Sequence, residues 1–196
     1  DVTPSCGAIL TTCEGGTLYG FQQYIFKDTI NLPYQCSDWV FSYELCCRNG
    51  PIAIIQDPFN TQAYISAHLN NLDFLGNNSP YFTNIPATII CIGQTFCFNN
   101  GAVDADGDSI VYSLVAPEVI PGIDVTYLSG YSSTSFMPSN PPLSFDSASG
   151  SICMTPTMAM TTVMAMLVED YKNGVKVGDV VRDIQITSIP CINQIP

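Results

Sequence analysis

The stretch that decides the fold is FCFNNGAVDADGDSIVYSL, residues 96–114. An apolar run that carries a cysteine leads into a turn, and a second apolar run follows the turn at once. Three carboxylates stand at alternate positions of the turn, Asp104, Asp106 and Asp108. Gly107 suits a turn that needs a positive φ or a close backbone approach. The stretch therefore predicts two β-strands joined by an acidic turn.

The acidic turn suggests calcium chemistry. Alternate carboxylates in a tight turn can point three oxygen atoms at one hard cation, and Glu169 or Asp170 would complete such a set. The spacing is not that of an EF-hand, because glycine is fourth in the loop and Val115 stands at the twelfth position. A solvated acidic turn explains the same residues. The sequence leaves calcium and a solvated turn as open alternatives.

The composition excludes several classes of partner. With 46% apolar residues, the chain has enough material for a core. Seventeen acidic residues against five Lys and Arg give a net charge of -12, which opposes binding to nucleic acid or to anionic membrane surfaces. The sequence contains no apolar run of about 18 residues, the length of a membrane-spanning helix. We expect no nucleic-acid partner and no membrane insertion.

Nine cysteines indicate disulfide bonds formed in an oxidising compartment. Zinc is the less favoured reading, because the chain has no C-x-x-C pair and His68 is its single histidine. Strand positions suggest Cys97 with Cys153 and Cys91 with Cys191, and looser pairs are Cys36 with Cys46 or Cys47 and Cys6 with Cys13. The odd count leaves one thiol over. Adjacent cysteines on a strand face opposite ways, so the outward member of Cys46 and Cys47 is the candidate.

Short apolar runs between turn signals predict an all-β chain. Strands are expected over residues 38–47, 52–55, 63–69, 87–92, 95–99, 109–115, 143–146, 151–155, 161–170 and 175–189. Asn173 and Gly174 predict a type I′ hairpin turn between the last two strands. A cluster of Asn, Gly, Ser and Pro before residue 80 predicts a boundary there. We expect two tandem β-sandwich domains stapled by disulfides, a Cys-rich one over 1–79 and a second over 80–196.

The stretch 117–142 is long for a loop, and long loops are often functional. Its apolar side chains form a candidate contact surface, made of Tyr127, Tyr131, Phe136 and Met137. The alternative is a covering loop whose aromatic rings pack onto its own sandwich.

No residue is assigned to catalysis. His68 is not accompanied by a motif such as G-x-S-x-G, so a structural histidine is the favoured interpretation. Asn77 begins Asn-Asn-Ser, which fits the acceptor pattern for N-glycosylation.

Several phrases between residues 80 and 189 resemble the cadherin-like or immunoglobulin-like repeats of large bacterial surface proteins. They are FTN at 82–84, GQTF at 93–96, DADGDSIVYSL at 104–114, LSFD at 143–146 with Gly150, and MLVEDYKNG at 166–174. Together with WVFSYELCCRN at 39–49, they make the chain similar to the N-terminal portion of gliding-motility-associated surface proteins of Bacteroidota.

The resemblance implies immunoglobulin-like or cadherin-like domains, export by the type IX secretion route, and display on the bacterial cell surface. Three Asp-Ser/Thr-apolar phrases also resemble sites that are glycosylated on oxygen in exported Bacteroidota proteins, and they would modify Thr29, Ser109 and Ser147. We expect a secreted, non-enzymatic structural protein that acts in adhesion or gliding, or as a subunit of an extracellular filament. Its partners would be further copies of itself, other surface proteins or glycans. The alternative is a carbohydrate-binding module whose exposed aromatic rings stack on sugars.

Overall fold

The computed structural model describes residues 10–17, 20 and 24–191. This part of the chain is all-β, as the sequence predicts, and its helices are short 3-10 turns at Thr12–Glu14 and Pro58–Asn60. None of the helices in these residues has the length and apolar character needed to cross a membrane. The strands are β1 (Trp39–Leu45), β2 (Ala63–Leu69), β3 (Tyr81–Phe82), β4 (Ile89–Cys91), β5 (Phe96–Asn99), β6 (Ala102–Val103), β7 (Ser109–Val115), β8 (Glu118–Ile120), β9 (Ile123–Asp124), β10 (Ser144–Asp146), β11 (Ser151–Met154), β12 (Met160–Lys172) and β13 (Val175–Ile189).

Eight of these strands form one large sheet. Its main path runs β7-β12-β13-β2-β8-β9, β1 pairs antiparallel with β2, and β4 pairs in parallel with the end of β13. A smaller sheet runs β10-β11-β5, and β3 pairs with β6.

The β12–β13 hairpin is the longest pairing in the described residues. Its turn residues Asn173 and Gly174 have φ values of 53° and 80°, the positive values that a type I′ turn needs. The predicted hairpin is therefore confirmed. Between residues 162 and 168, β12 is buried on both faces except at Leu167, which is half-buried. This explains the nearly continuous apolar run in its sequence.

The core lies between β12 and β13 of the large sheet and β11 of the small one. Met164, Met166 and Val168 pack in the same cluster as Ile152 and Met154, and all five are almost fully buried.

The loop 117–142 covers this core. Phe136 and Met137 are 0% and 3% exposed, and Tyr127 and Tyr131 pack partly buried against the same cluster. The hydroxyl of Thr162 donates a hydrogen bond to the carbonyl of Phe136. The prediction of a contact surface is wrong for Phe136 and Met137, because their apolar side chains fill the interior.

The chain divides into two compact units, residues 1–34 and 35–196. The division after residue 34 differs from the boundary expected at residue 80. Strands from both sides of residue 80 share the large sheet, so the chain is not divided there. Ala67 of β2 lies opposite Val180 of β13. Residues 52–55 form isolated bridges in place of the expected strand, since Ile52 pairs with Thr161 and Ile55 with Tyr127.

Three disulfides join described cysteines. Cys91 bonds to Cys191 and Cys97 to Cys153, the two pairs that strand positions suggested. Cys47 bonds to its neighbour Cys46 and leaves Cys36 as a free thiol, so the expected pair of Cys36 with Cys47 is absent. The prediction that one of Cys46 and Cys47 is the leftover thiol is wrong, because β1 ends at Leu45 and the two cysteines that follow it bond to each other. Cys13 is also a free thiol, and Cys6 lies outside the described residues.

A buried ion pair joins the segment after β1 to β13. The Arg48 guanidinium lies 2.7 Å from Asp183 Oδ2 and also donates to the carbonyls of Gln62 and Glu118. Both side chains are nearly excluded from solvent. Burial raises the pKa of Asp183, and the hydrogen bond and charge of Arg48 oppose that rise.

Removing Arg48 alone should be more harmful than removing the pair. We expect Arg48→Met to lower the free energy of unfolding by about 3–5 kcal/mol, because it leaves the Asp183 carboxylate buried without a partner. The double variant Arg48→Met/Asp183→Leu should recover most of that loss, as measured by urea unfolding. Equal or greater destabilisation in the double variant would contradict this account.

Candidate metal centre

The pairing of β12 with β7 brings Asp170 to the acidic turn. Tyr171 lies opposite Ser109 and Asp170 opposite Ile110, and β7 begins immediately after Asp108. Successive side chains of a strand face opposite sides of the sheet, so Asp170 and Glu169 point apart. Asp170 is fully buried.

The turn itself gathers the other carboxylates. Asp104 Oδ1 accepts hydrogen bonds from the backbone N–H of Asp106 at 2.8 Å and of Asp108 at 3.0 Å. Gly107 has a φ of 79° and completes the tight bend. Carboxylate oxygens of all three aspartates lie within 4.8 Å of one another. The alternate spacing in the sequence therefore becomes a cluster in space.

A distant segment also reaches this cluster. Asn77 Nδ2 donates to Asp170 Oδ2 at 3.3 Å. The backbone N–H of Asn78 donates to Asp106 Oδ2 at 2.6 Å, and Asn78 Nδ2 donates to Asp106 Oδ1 at 3.0 Å. These hydrogen bonds, the backbone one above all, hold the pKa of Asp106 below its usual value. The cluster thus joins three parts of the chain.

Four oxygen atoms of the cluster are buried and lack a hydrogen-bond donor within the described part of the chain. They are Asn77 Oδ1, Asp104 Oδ2, Asp108 Oδ2 and Asp170 Oδ1. An unsatisfied buried polar group costs about 1–3 kcal/mol, and more if it is charged. Asp104 and Asp108 belong to the group of three aspartates, and their charges act on Asp170, so a cation bound near them would supply a missing partner.

The nearby ammonium of Lys172 does not fill this role. Its Nζ lies 3.5 Å from Asp108 Oδ2, where it forms an ion pair without a hydrogen bond, and its side chain is 37% exposed. The partly solvated Lys172 therefore leaves Asp108 Oδ2 without a hydrogen-bond donor among the described residues.

The surroundings of Asp170 disfavour the charged form of its carboxyl group. Burial raises its pKa to about 6, the hydrogen bond from Asn77 opposes that rise, and the charges of Asp104 and Asp108 add to it. The backbone of β13 approaches Asp170 closely. A Cβ on Gly178 would lie 2.8 Å from Asp170 Oδ1, so glycine leaves the space that the carboxylate occupies.

The donor set fits calcium. Asn77, Asp104, Asp106, Asp108 and Asp170 offer only oxygen, the donor that calcium prefers, and water would complete its coordination. Zinc prefers nitrogen and sulfur ligands, and the five side chains provide neither.

Glu169 is not brought to this cluster. Its carboxylate lies 2.8 Å from Lys176 Nζ, which also contacts Asp179 at 2.8 Å. The alternation of β12 explains the difference from Asp170, since neighbouring residues cannot both point at one ion.

The predicted glycosylation sites and His68 have the following surroundings. Thr29, Ser109 and Ser147 are exposed. Asn77 is half-buried, and the nitrogen that would carry a glycan donates to Asp170, so modification conflicts with this contact. His68 Nδ1 lies 2.7 Å from Asp38 Oδ1.

Sequence reasoning missed Asn77 and Asn78 as partners of the acidic turn. Asn77 matched a glycosylation pattern, and nothing in the spacing linked it to Asp170, 93 positions further along, or linked Asn78 to Asp106, 28 positions further along. A run of two amides in a polar loop of a chain with an acidic turn is the only signal that the sequence offers.

Comparison of the chain with models of protein families finds no match, and no curated protein matches its sequence. The site must therefore be argued from its own geometry.

Replacing Asp170 should have opposite effects with and without calcium. The folded-state pKa of about 6 lies above the ordinary value of 3.8. Metal-free protein therefore loses stability as pH rises from about 4 to about 6, up to about 3 kcal/mol. In chelator at pH 8, we expect Asp170→Asn to be more stable than wild type. With calcium in excess, we expect it to gain nothing from the ion.

The matched control is the neighbour Glu169→Gln, which should keep the response of the wild type to calcium. Thermal unfolding at pH 4 and pH 8, with chelator or calcium, measures all three proteins. Destabilisation by Asp170→Asn in chelator at pH 8 would contradict the buried-charge account.

Proposed function

We propose that this chain is a secreted, non-enzymatic cell-surface structural protein whose β-sheet framework is fixed by calcium. Its role is in adhesion or gliding, or as a subunit of an extracellular filament. The observation that carries the proposal is the set of four buried oxygen atoms without donors, contributed by Asn77, Asp104, Asp108 and Asp170.

The position of these oxygens favours a structural ion over a catalytic one. A catalytic metal keeps a position open for its substrate, whereas these oxygen atoms are buried. The ligands come from the loop before β3, the turn before β7 and the end of β12, so one ion ties three segments together. An ion that binds only the folded state stabilises it by about 2.7 kcal/mol at a hundred times its dissociation constant.

The covalent framework supports a location outside the cell. The three disulfides are of a kind that persists in oxidising compartments. Extracellular calcium modules bind the ion at about 10⁻⁴–10⁻³ M, the range expected of this site for a protein outside the cell. The resemblance to cadherin-like or immunoglobulin-like repeats of gliding-motility-associated proteins adds adhesion and gliding to the proposal.

A carbohydrate-binding function has less support. Sugar rings stack on exposed aromatic faces, and the loop 117–142 carries the aromatic residues of the predicted contact surface. Phe136 of that loop is fully buried, and Tyr127 and Tyr131 pack against the core. The loop therefore provides no row of exposed rings.

Calcium should raise the melting temperature of chelator-treated protein. We expect Asp104→Asn and Asp108→Asn to abolish most of the rise, because each removes a charged ligand. The control Glu44→Gln, on exposed β1, should keep it. Calcium should also slow proteolysis within residues 70–80, which the ion would hold through Asn77. Identical melting temperatures in calcium and in chelator would contradict the proposal.

A further inference from the structure

The large sheet has a second face, turned away from the core, and a cleft of about 480 Å³ opens on it. Alternation places Leu167 of β12 on this face, because its neighbours Met166 and Val168 pack into the core. Val181 of β13 lies opposite Leu167. Together with Val115 of β7, these two side chains give the cleft an apolar surface.

The β8–β9 hairpin brings two carboxylates into the lining of this cleft. Glu118 of β8 lies opposite Asp124 of β9, so their side chains share one face of the hairpin. Directly opposed like charges destabilise a strand pair. Neither carboxylate takes part in an ion pair with another described residue. Two negative charges therefore lie together without a positive charge to compensate them.

The positive charges closest to this pair are already used. Arg48 donates to the backbone carbonyl of Glu118, but its ion pair is with Asp183. Lys176 lies 2.8 Å from Asp179, the third carboxylate of the lining. Compensation of the other two carboxylates thus calls for a ligand.

A buried phenol group lies beside the two carboxylates. Tyr64 of β2 lies opposite Glu118 and lines the same cleft. It is 5% exposed, and its hydroxyl group has no hydrogen-bond partner among the described residues. Buried hydroxyl groups normally have such a partner. The register therefore lines up three side chains that can accept hydrogen bonds from one ligand, Tyr64, Glu118 and Asp124.

An ammonium or guanidinium group on an alkyl stem matches this lining. Such a group provides several N–H donors and a positive charge, and its stem can lie along apolar surface. Lysine and arginine side chains combine both features. A bare metal ion would leave the apolar surface of Leu167 and Val181 without a partner, and an anion would be repelled.

The cleft continues along the sheet. His68 and Asp179 line both this cleft and a second one of about 280 Å³, which extends to Asn70 at the end of β2. We call the two together the outer groove, and all of its lining residues belong to the unit 35–196. From Tyr64 to Asn70 a strand advances about 20 Å, so the outer groove accommodates an extended segment of about six residues.

We propose that the outer groove binds an extended segment of a partner protein and seats a lysine or arginine side chain of that segment between Glu118 and Asp124. The basic group donates to both carboxylates and to the Tyr64 hydroxyl group, and its alkyl stem lies over Leu167 and Val181.

This binding deepens the proposed adhesive role, on which it rests, by naming the chemistry of the partner. The net charge of -12 attracts a basic segment to the chain, and the outer groove gives that segment a specific place. A second copy of the chain carries the same negative charge, which opposes it as the partner.

The first test uses the peptide acetyl-Thr-Val-Lys-Val-Thr-amide and the full chain with isotope-labelled methyl groups, with calcium in excess. We expect the peptide to shift the NMR signals of the Leu167 and Val181 methyl groups in a saturable way. The same peptide with acetyl-lysine in place of lysine should bind at least about tenfold more weakly, because acetylation removes the charge. No shift of these signals, or equal binding of the two peptides, would overturn the proposal.

The second test removes the two charges with little change in side-chain size. We expect Glu118→Gln/Asp124→Asn to weaken binding of the lysine peptide by about tenfold or more. Its melting temperature should be higher than that of the wild type, because the repulsion between opposed carboxylates is gone, so loss of binding is distinguished from loss of fold. The control Asp57→Asn changes an exposed carboxylate outside the outer groove and should keep wild-type binding. Wild-type affinity in the double variant contradicts the proposed contact.

The third test separates a partner protein from a free amine. n-Pentylamine carries the same ammonium group without a peptide backbone, and we expect it to bind at least about tenfold more weakly than the lysine peptide. Equal binding would mean that the cleft holds a free amine, and the inference of a partner protein would fail.

The calcium-dependent rise in melting temperature, measured on the same preparations, separates this inference from the proposed function. If the rise persists and the lysine peptide does not bind, the outer-groove proposal fails and the calcium-fixed structural role stands.

Discussion

The register between β12 and β7 is the constraint on which the proposed metal centre depends. It places Asp170 opposite Ile110, at the point where the acidic turn becomes strand. A slip of one residue would turn Asp170 outward and bring Glu169 into the interior, away from Lys176. The apolar face of β12 favours this register, and the type I′ turn at Asn173 and Gly174 fixes the separate register of β12 with β13.

Two buried carboxylates of the large sheet, Asp183 and Asp170, differ in how their negative charge is compensated. Asp183 has Arg48 at 2.7 Å, a charged donor that also donates to the backbone carbonyls of Gln62 and Glu118. Asp170 accepts from the amide of Asn77 at 3.3 Å, and its pKa is raised by burial first and then by the charges of Asp104 and Asp108. The chain itself supplies the positive charge that compensates Asp183. Asp170 needs a positive charge that a bound cation would supply, and this contrast is the physical basis for the calcium proposal.

Local pattern predicted much of the fold. The Asn-Gly turn, the continuous apolar run of β12 and the alternate aspartates each specify their structure through neighbouring residues. Long-range partners were harder to find. Nothing local indicates that β2 extends the sheet beside β13, that Asn77 reaches Asp170, or that the aromatic residue Phe136 fills the core. The pairing of Cys46 with Cys47 was missed because the strand was expected to continue two residues beyond Leu45.

The central claim is that the four buried oxygens hold one cation. Calorimetric titration of chelator-treated protein with calcium tests it most directly. The account predicts one ion bound per chain, retained in Glu169→Gln and lost in Asp170→Asn. Absence of binding by the wild type, or equal binding by Asp170→Asn, would contradict it.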